Sequence, residues 1–362
     1  MINNQDNKVY IIAEAGVNHN GDKKLAFDLI DAAYEAGADA VKFQIFSADK
    51  LASQKVPKAN YQLKHTDINE NQYQMLKKLE LDFNTHIELK NYAFKKNIHY
   101  SASAFDASSL KFLMSIDLPF IKIPSGEITN LPLLWKFAKS NSKILLSTGM
   151  STLSDVECAL ATLTHSLNSD TEPKSIDDIW SFWNDKKSRT KLEKYVSLLH
   201  CTSEYPAPFD EINLKAMNTL KTCFNLDIGY SDHSEGIHIA IAAVALGAKI
   251  IEKHFTLNRT LPGPDHAASL EPSELKNMVA NIRSLQNALG DGIKSVTKSE
   301  LSTKTIARQQ IVAAKNILPG HIFNSDDLTT ARCGVGLSPL HYWDLLGKKA
   351  PKNYIKGDAI IL

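Results

Sequence analysis

Two lysines, Lys42 and Lys122, and four serines, Ser103, Ser125, Ser147 and Ser231, are the side chains whose types and placement first suggest chemistry. Each stands at or just beyond the end of a short β-branched run. Ammonium groups among small hydroxyls make an anion cradle, able to neutralise a phosphate and a carboxylate without crowding them. Two histidines, His233 and His254, end neighbouring runs and could place two imidazole nitrogens on one cation. Water and substrate oxygens would fill the other positions of an octahedral Mn²⁺ or Mg²⁺ site. Two His ligands are few for a structural metal, so an open, exchangeable catalytic one is expected. Glu14, at the end of the first run, is a candidate acid or base. Gln44, His200 and Glu252 also fall at such ends. One polar residue at a strand end needs no explanation, but polar residues at every end do.

The elements that must position these groups alternate short apolar runs with segments of helical spacing, the order of a parallel sheet wrapped by helices. The runs are Val9–Ala13, Ala40–Phe43, His99–Ser103, Phe120–Ile123, Lys143–Leu146, Val196–His200, Asp227–Tyr230 and Lys249–Lys253. Helix candidates between them include Lys23–Ala36, Ala107–Ser115, Ser151–His165, Leu214–Phe224 and Gly236–Leu246. Eight such units predict an α/β (β/α)8 TIM barrel over residues 1–290, whose chemistry belongs at the carboxyl ends of the strands. The mixed-charge stretch His165–Lys194 reads as a solvated helical face, and Trp180 with Trp183 inside it as packing. NHNG at Asn18–Gly21 reads as a turn. Residues 291–298 form a polar linker, and 299–362 read as a small, β-rich second domain in which Arg332, by its local sequence, is a surface residue.

Composition narrows the functional classes. The 362 residues exceed one small module, and 43 % apolar content supports a sizeable core. With 41 Lys and Arg against 40 Asp and Glu, the net charge of +1 gives no basic field for nucleic acid or an anionic membrane surface. Cys158, Cys201, Cys223 and Cys333 are scattered, as reduced thiols would be. The start, MINNQDNK, has no signal-peptide pattern, and the longest apolar run, Ile239–Ala248, is shorter than the ~20 residues that span a bilayer. A cytoplasmic enzyme is the expectation.

The same stretches resemble a known family. EAGVNHNG (14–21), VKFQ (41–44), IKIPSGE (121–127), LSTGM (146–150), LHCTSEYPAP (199–208), GYSDHSEG (229–236), IEKHFTL (251–257) and PGPDHAASLEP (262–272) are similar to motifs of the sialic acid (nonulosonic acid) synthases. The likeness runs nearly the whole chain, and the tail resembles their antifreeze-like, or SAF, domain. It implies a metal-dependent condensation of phosphoenolpyruvate with an N-acetylamino sugar, releasing phosphate and a nine-carbon 2-keto acid. It implies phosphoenolpyruvate on Lys42, Ser103, Lys122, Ser125, Ser147 and Ser231. Further implied are a divalent metal on His233 and His254 (Mn²⁺ first, with Mg²⁺ or Co²⁺ as alternatives), Glu14 as acid/base, and the sugar on Gln44, Tyr205 and Asp265. Arg332 is implied to reach the sugar's N-acetyl group across a domain-swapped homodimer. Ser203 stands where some members have Asn, Ser103 where Thr is common, and Arg332-Cys333-Gly334-Val335-Gly336 where the family reads RPGNG. The wording of EAGVNHNGD, EYPAP and ALGDGIK leans toward a legionaminate-type acceptor, 2,4-diacetamido-2,4,6-trideoxymannose, over N-acetylmannosamine. Two other readings compete: an octulosonate-type condensation with an aldose phosphate, and a barrel that only binds carbohydrate. The SAF-like tail counts against the first, and the intact lysines, histidines and Glu14 against the second.

Overall fold

The computed structural model describes residues 8–59, 62–63, 66–67, 69–140 and 142–361. Contacts divide the chain into two compact units, Met1–Gly290 and Asp291–Leu362. In the first, eight strands form a closed barrel in sequence order: β1 (Tyr10–Gly16), β2 (Ala40–Ile45), β3 (His99–Ala104), β4 (Phe120–Ile123), β5 (Lys143–Ser147), β6 (Val196–His200), β7 (Asp227–Asp232) and β8 (Ile250–His254). All pair in parallel, and β8 returns to β1.

Strand alternation sorts the residues into concentric layers. Outward-facing Ile11, Val41, Phe43, Ile121, Ile144, Leu198, Ile228 and Ile251 join the buried faces of the surrounding helices in the main core. Inward-facing Ile12, Ala40, Phe120, Leu145, Leu199 and Ile250 form a separate apolar plug inside the barrel. One pleat further along, the inward positions turn polar: Glu14, Lys42, Ser103, Lys122, Ser147, Ser231 and Glu252, each 4 % exposed or less. The barrel is thus an apolar plug beneath a charged floor.

Several strands run further than their apolar content suggests. β1 extends beyond Ala13 to Gly16, β2 beyond Phe43 to Ile45, and β7 beyond Tyr230 to Asp232. Of their polar residues, Glu14 and Ser231 are satisfied inside the barrel by Lys42 and Glu252. Helix starts follow local capping. Asp22 accepts from Lys24 and Leu25 N–H to begin Lys23–Glu35, and a Thr152–Asp155 capping box starts Leu153–Asn168, two residues after the Ser151 expected from the pattern. The 165–194 stretch contains two helices, Ile176–Asn184 and Lys186–Tyr195. Trp183 packs into the core there and donates to Glu157 at 2.9 Å, a packing role. Between β2 and β3 the chain forms helices Ala48–Leu51, Gln72–Lys78 and Phe83–Lys95, which the broad alternation of runs had not resolved.

The second unit has its own core, including Ile311, Ile317, Phe323, Leu328, Tyr354 and Ile360. It contains an antiparallel pair, β9 (Gln310–Ala313) and β10 (Leu328–Ala331), and isolated bridges such as Ile317 with Tyr354. Its fully buried Asp327 carboxylate takes Lys315 at 2.8 Å, His321 at 2.8 Å and the Asn324 N–H at 2.8 Å, which joins three chain segments. Among the described residues no helix is long and apolar enough to cross a membrane.

Gly229, inside the barrel on β7, has no room for a side chain: a Cβ would lie 2.5 Å from Leu199 Cδ2 and 2.6 Å from the Ile250 carbonyl. Overpacking a close-packed interior costs about 1–3 kcal/mol. Gly229→Ala is therefore expected to lower the midpoint of urea unfolding by a corresponding amount. An unchanged midpoint would show that the plug has slack.

Candidate active site

The polar floor opens into a cavity of about 440 Å³ at the carboxyl ends of the strands. Glu14, Lys42, Gln44, Ser103, Lys122, Ser125, Ser147, Tyr205, Ser231, His233, His254 and Asp265 all line it. A wider cleft of about 940 Å³ lies at the amino ends, lined by His99, Pro119, Lys143 and Tyr195 among others. Size does not make it the better candidate, because barrel chemistry is built at the opposite end and the buried ionisable groups converge there.

The centre of the site is a fully buried chain of opposite charges. Lys42 Nζ lies 2.7 Å from Glu14 Oε2, donates to Ser103 Oγ at 2.8 Å and stands 3.7 Å from Glu252 Oε2. Lys122 Nζ donates to Glu252 Oε1 at 2.6 Å, and that same oxygen accepts from Ser231 Oγ at 2.7 Å. Burial pushes the Glu14 carboxyl up to about 7 against the pull of Lys42. Burial would raise Glu252 as well, but the charges of Lys122 and Lys42 prevail and hold it well below the usual carboxylate range. For Lys42 the burial penalty is outweighed by the two glutamates, so its ammonium is held above the ordinary value. The floor therefore carries two fixed cations facing an unequal pair of carboxylates.

On the β7–β8 side the imidazoles of His233 and His254 approach with ring centroids 5.5 Å apart. Burial lowers His233 to about 4 and His254 well below its ordinary value, so both are neutral near pH 7. His233 Nδ1 is engaged with the Thr202 carbonyl at 2.6 Å, which assigns the proton to Nδ1 and leaves the Nε2 lone pair facing the cavity. Tyr205 stacks on His233 at 4.2 Å, with its hydroxyl 3.2 Å from Nε2. His254 Nδ1 is buried without a hydrogen-bond partner, 3.9 Å from Asp265 Oδ2, and burial raises the Asp265 carboxyl to about 6. Gly16, with φ +53° at a shift in the β1–β2 register, keeps this corner open: a Cβ would sit 3.4 Å from both Glu14 Oε1 and His254 Cε1 and 3.5 Å from Asp265 Oδ2. Two neutral nitrogens beside a space free of Cβ are a pair of donors suited to an exchangeable divalent cation. No group of three or more such side chains converges among the described residues, so water or substrate oxygens must complete any coordination.

Opposite this corner, Gly149 N–H donates to Ser125 Oγ at 3.1 Å, and Ser203 lines the same wall. Two strand-end residues fall differently from the rest. His200 turns out of the site and binds the Ile212 carbonyl through Nε2 at 2.7 Å. Arg332 follows β10 in the second unit, where the altered loop is tied by Cys333 N–H to Gln310 at 3.1 Å. Glu252 is the functional residue that residue types alone underplayed. Its signal was its place two residues before His254 on β8, which puts both on the inward face. Glu127, which also lines the cavity and accepts from Asn130 at 2.7 Å, had no comparable signal.

Removing one carboxylate should expose the charge balance. Breaking a buried ion pair costs about 3–5 kcal/mol, and Glu252→Gln leaves two ammoniums facing Glu14 alone. The variant is expected to melt lower than the parent. Inorganic phosphate should then raise its Tm more than it raises the parent's, because the uncompensated cations bind the anion more tightly and ligand stabilisation grows with [L]/Kd. Equal phosphate shifts would count against the charge network.

Comparison with known proteins agrees with this architecture. Residues 29–294 match the model of the NeuB family. The chain is 51 % identical to the N,N'-diacetyllegionaminic acid synthase of Campylobacter jejuni, over 98 % of this chain and 99 % of that protein. It is 41 % identical to the N,N'-diacetyllegionaminic acid synthase of Legionella pneumophila, over 97 % and 93 %. Among solved structures, the N-acetylneuraminic acid (sialic acid) synthetase of Leptospira borgpetersenii, in complex with citrate, superposes with TM-score 0.65 at 35 % identity, covering 82 % of this chain and 90 % of that one. With near full-length identity of this order and a family match across most of the barrel, the chain belongs to the NeuB family, the sialic acid synthases whose motifs its sequence carries.

Proposed function

We propose that the protein condenses phosphoenolpyruvate with 2,4-diacetamido-2,4,6-trideoxymannose and water, giving N,N'-diacetyllegionaminate and phosphate. The observation that carries the reading is the buried floor of Lys42, Lys122 and serine hydroxyls beside the paired imidazoles, in a chain 51 % and 41 % identical to two legionaminic acid synthases.

Phosphoenolpyruvate brings a carboxylate and a phosphate into the cradle of Lys42, Ser103, Lys122, Ser125, Ser147 and Ser231. The incoming anion competes with Glu252 and Glu14 for the two ammoniums, so binding exchanges one set of buried ion pairs for another. The open-chain acceptor lies against Gln44, Tyr205 and Asp265, with its aldehyde toward His233 and His254. These two histidines would hold a divalent cation, Mn²⁺ in the first instance, whose contribution is Lewis-acid polarisation of the aldehyde. The C3 carbon of phosphoenolpyruvate bonds to the aldehyde carbon while the aldehyde oxygen takes up a proton. Positive character develops at C2, where water adds and gives up a proton; the C2–O bond to phosphate then breaks as the new C2 hydroxyl becomes the ketone and its proton leaves with the phosphate. Glu14, near neutrality in its protonation balance, orients that water and carries its proton. Lys42 and Lys122 balance the negative charge of the departing phosphate. In this reading Arg332 meets the acceptor's N-acyl group from the tail unit of a second copy, in a domain-swapped cytoplasmic homodimer with an SAF-type tail.

The direct measurement is phosphate release and product mass with phosphoenolpyruvate, Mn²⁺ and a panel of N-acylated mannose-type sugars. Turnover is expected, and it should be abolished by chelator and by His233→Ala with the fold intact by circular dichroism. Failure with every such sugar would sink the reading, and chelator-insensitive turnover by His233→Ala would refute the metal assignment. Arg332→Ala and Lys122→Ala homodimers should each be nearly inactive. If subunits exchange freely, a mixture of the two should recover up to about a quarter of parental activity, because each swapped heterodimer has one intact site. No recovery in a mixture shown to exchange would place Arg332 outside the partner's site.

A further inference from the structure

Above the charged floor the cavity changes character. Three residues past Glu14 stands Val17, four past Lys42 stands Phe46, and two past Ser103 stands Phe105. These join Leu51, Met75, Leu76 and Leu79 in an apolar cluster that lines the same cavity. Met75, Leu76 and Leu79 come from the helix Gln72–Lys78 and its C-terminal end. That helix is held in place from outside. Tyr73 donates to Asp49 at 2.6 Å, Lys77 pairs with Asp49 at 3.2 Å and Glu80 at 3.0 Å, and Asn71 donates to the Gln54 carbonyl at 2.8 Å. Its capping box of Asn71 and Gln74 fixes its start. Its charged side chains point away: Lys77 and Lys78 are 48 % and 69 % exposed and paired with acids. The lysines lining the cavity among the described residues are Lys42 and Lys122, both engaged on the floor.

We propose that this wall, formed by Leu51, Met75, Leu76, Leu79, Phe46 and Phe105 over strands β1–β3, is the subsite that selects an acceptor sugar with a methyl group, rather than a hydroxymethyl or phosphomethyl group, at its far end. The inference rests on the proposed condensation and deepens it by naming what reads the acceptor's C6. With the aldehyde at His233 and His254 and phosphoenolpyruvate on the lysines, the end of the acceptor remote from the reacting carbon extends toward the mouth and meets this wall. A methyl group there buries apolar surface against apolar surface. A hydroxymethyl group must give up water without finding a donor or acceptor on these six side chains, beside which the amides of Gln62 and Gln72 also line the cavity. Among the described residues a phosphate finds neither cation nor hydroxyl on the wall. Hydrophobic pockets discriminate against an added hydroxyl by on the order of 10- to 100-fold, which sets the size of the effect.

The test uses N-acetylmannosamine, its 6-deoxy analogue and its 6-phosphate as acceptors with the full-length, Mn²⁺-loaded enzyme, reading kcat/KM for phosphate release. The 6-deoxy sugar is expected to exceed N-acetylmannosamine by roughly 10-fold or more, with the 6-phosphate slowest. Leu76→Gln and Leu51→Asn, both on the less buried part of the wall, are expected to shrink that ratio by about 10-fold. The loss should fall on the 6-deoxy sugar, with KM for phosphoenolpyruvate unchanged. A general structural defect would lower all acceptors together and leave the ratio intact. A parental preference for N-acetylmannosamine, or an unchanged ratio in both variants, overturns the subsite while leaving the condensation standing. Turnover of no acceptor, 2,4-diacetamido-2,4,6-trideoxymannose included, overturns the condensation and the subsite with it.

Discussion

The ion chain Glu14–Lys42–Glu252–Lys122 is the constraint on which the rest of the barrel's upper half depends. Two ammoniums inside a closed barrel are tolerable only if acids of matching charge are buried with them, since desolvation of an unpaired ion costs several kcal/mol. That requirement explains why four strands carry ionised groups at the same level. Ser103 accepts from Lys42 and Ser231 donates to Glu252, which adds two hydroxyls to the network. A cradle built this way is preorganised for anions yet self-neutralised when empty, so it needs no surface field to persist. It accords with a net charge of +1 for the whole chain.

Below this level lies the apolar plug and above it the apolar wall, so the site is a polar layer between two hydrophobic ones. The plug excludes water from beneath and keeps the local dielectric low, which strengthens every charge interaction in the floor. The corner of Gly16, His233, His254 and Asp265 is made differently, by leaving out a side chain and by committing His233 Nδ1 to a backbone carbonyl. Together these features give an asymmetric cavity: charged floor, nitrogen-rich flank, hydrophobic mouth. A condensation between a small dianion and a long neutral sugar uses all three surfaces, which is why the proposed reading accounts for more of the site than an aldose-phosphate reaction does.

Much of this was legible from the chain alone, for a physical reason. Residues that alternate along a strand must share a face, so Glu14, Lys42, Ser103, Lys122, Ser147 and Ser231 could be assigned to one level of a barrel from spacing and strand order. The His pair followed from the same rule. The order of motifs then identified the family, because each motif is a strand end with its loop and their sequence is the barrel's own order. The five helix candidates were legible for an equally local reason, the spacing of their apolar residues.

What only the tertiary structure decided are relations between residues far apart in sequence. Glu252 becomes the counterion of Lys122, 130 positions away; its period on β8 turns it inward but does not say which charge it meets. His200 ends a strand like its neighbours, yet its ring leaves the site for a nearby carbonyl, a choice made by packing rather than by type. The wall of Leu51, Met75 and Leu76 carries no signal in the sequence, and these side chains line the cavity because the helices Ala48–Leu51 and Gln72–Lys78 pack beside the carboxyl ends of the strands. Residue types and their periods determined which chemistry was on hand and at which level it stood. The closure of the barrel determined which charges met and which surface the substrate would find above them, because Coulomb energy and desolvation depend on distances that a linear sequence does not contain.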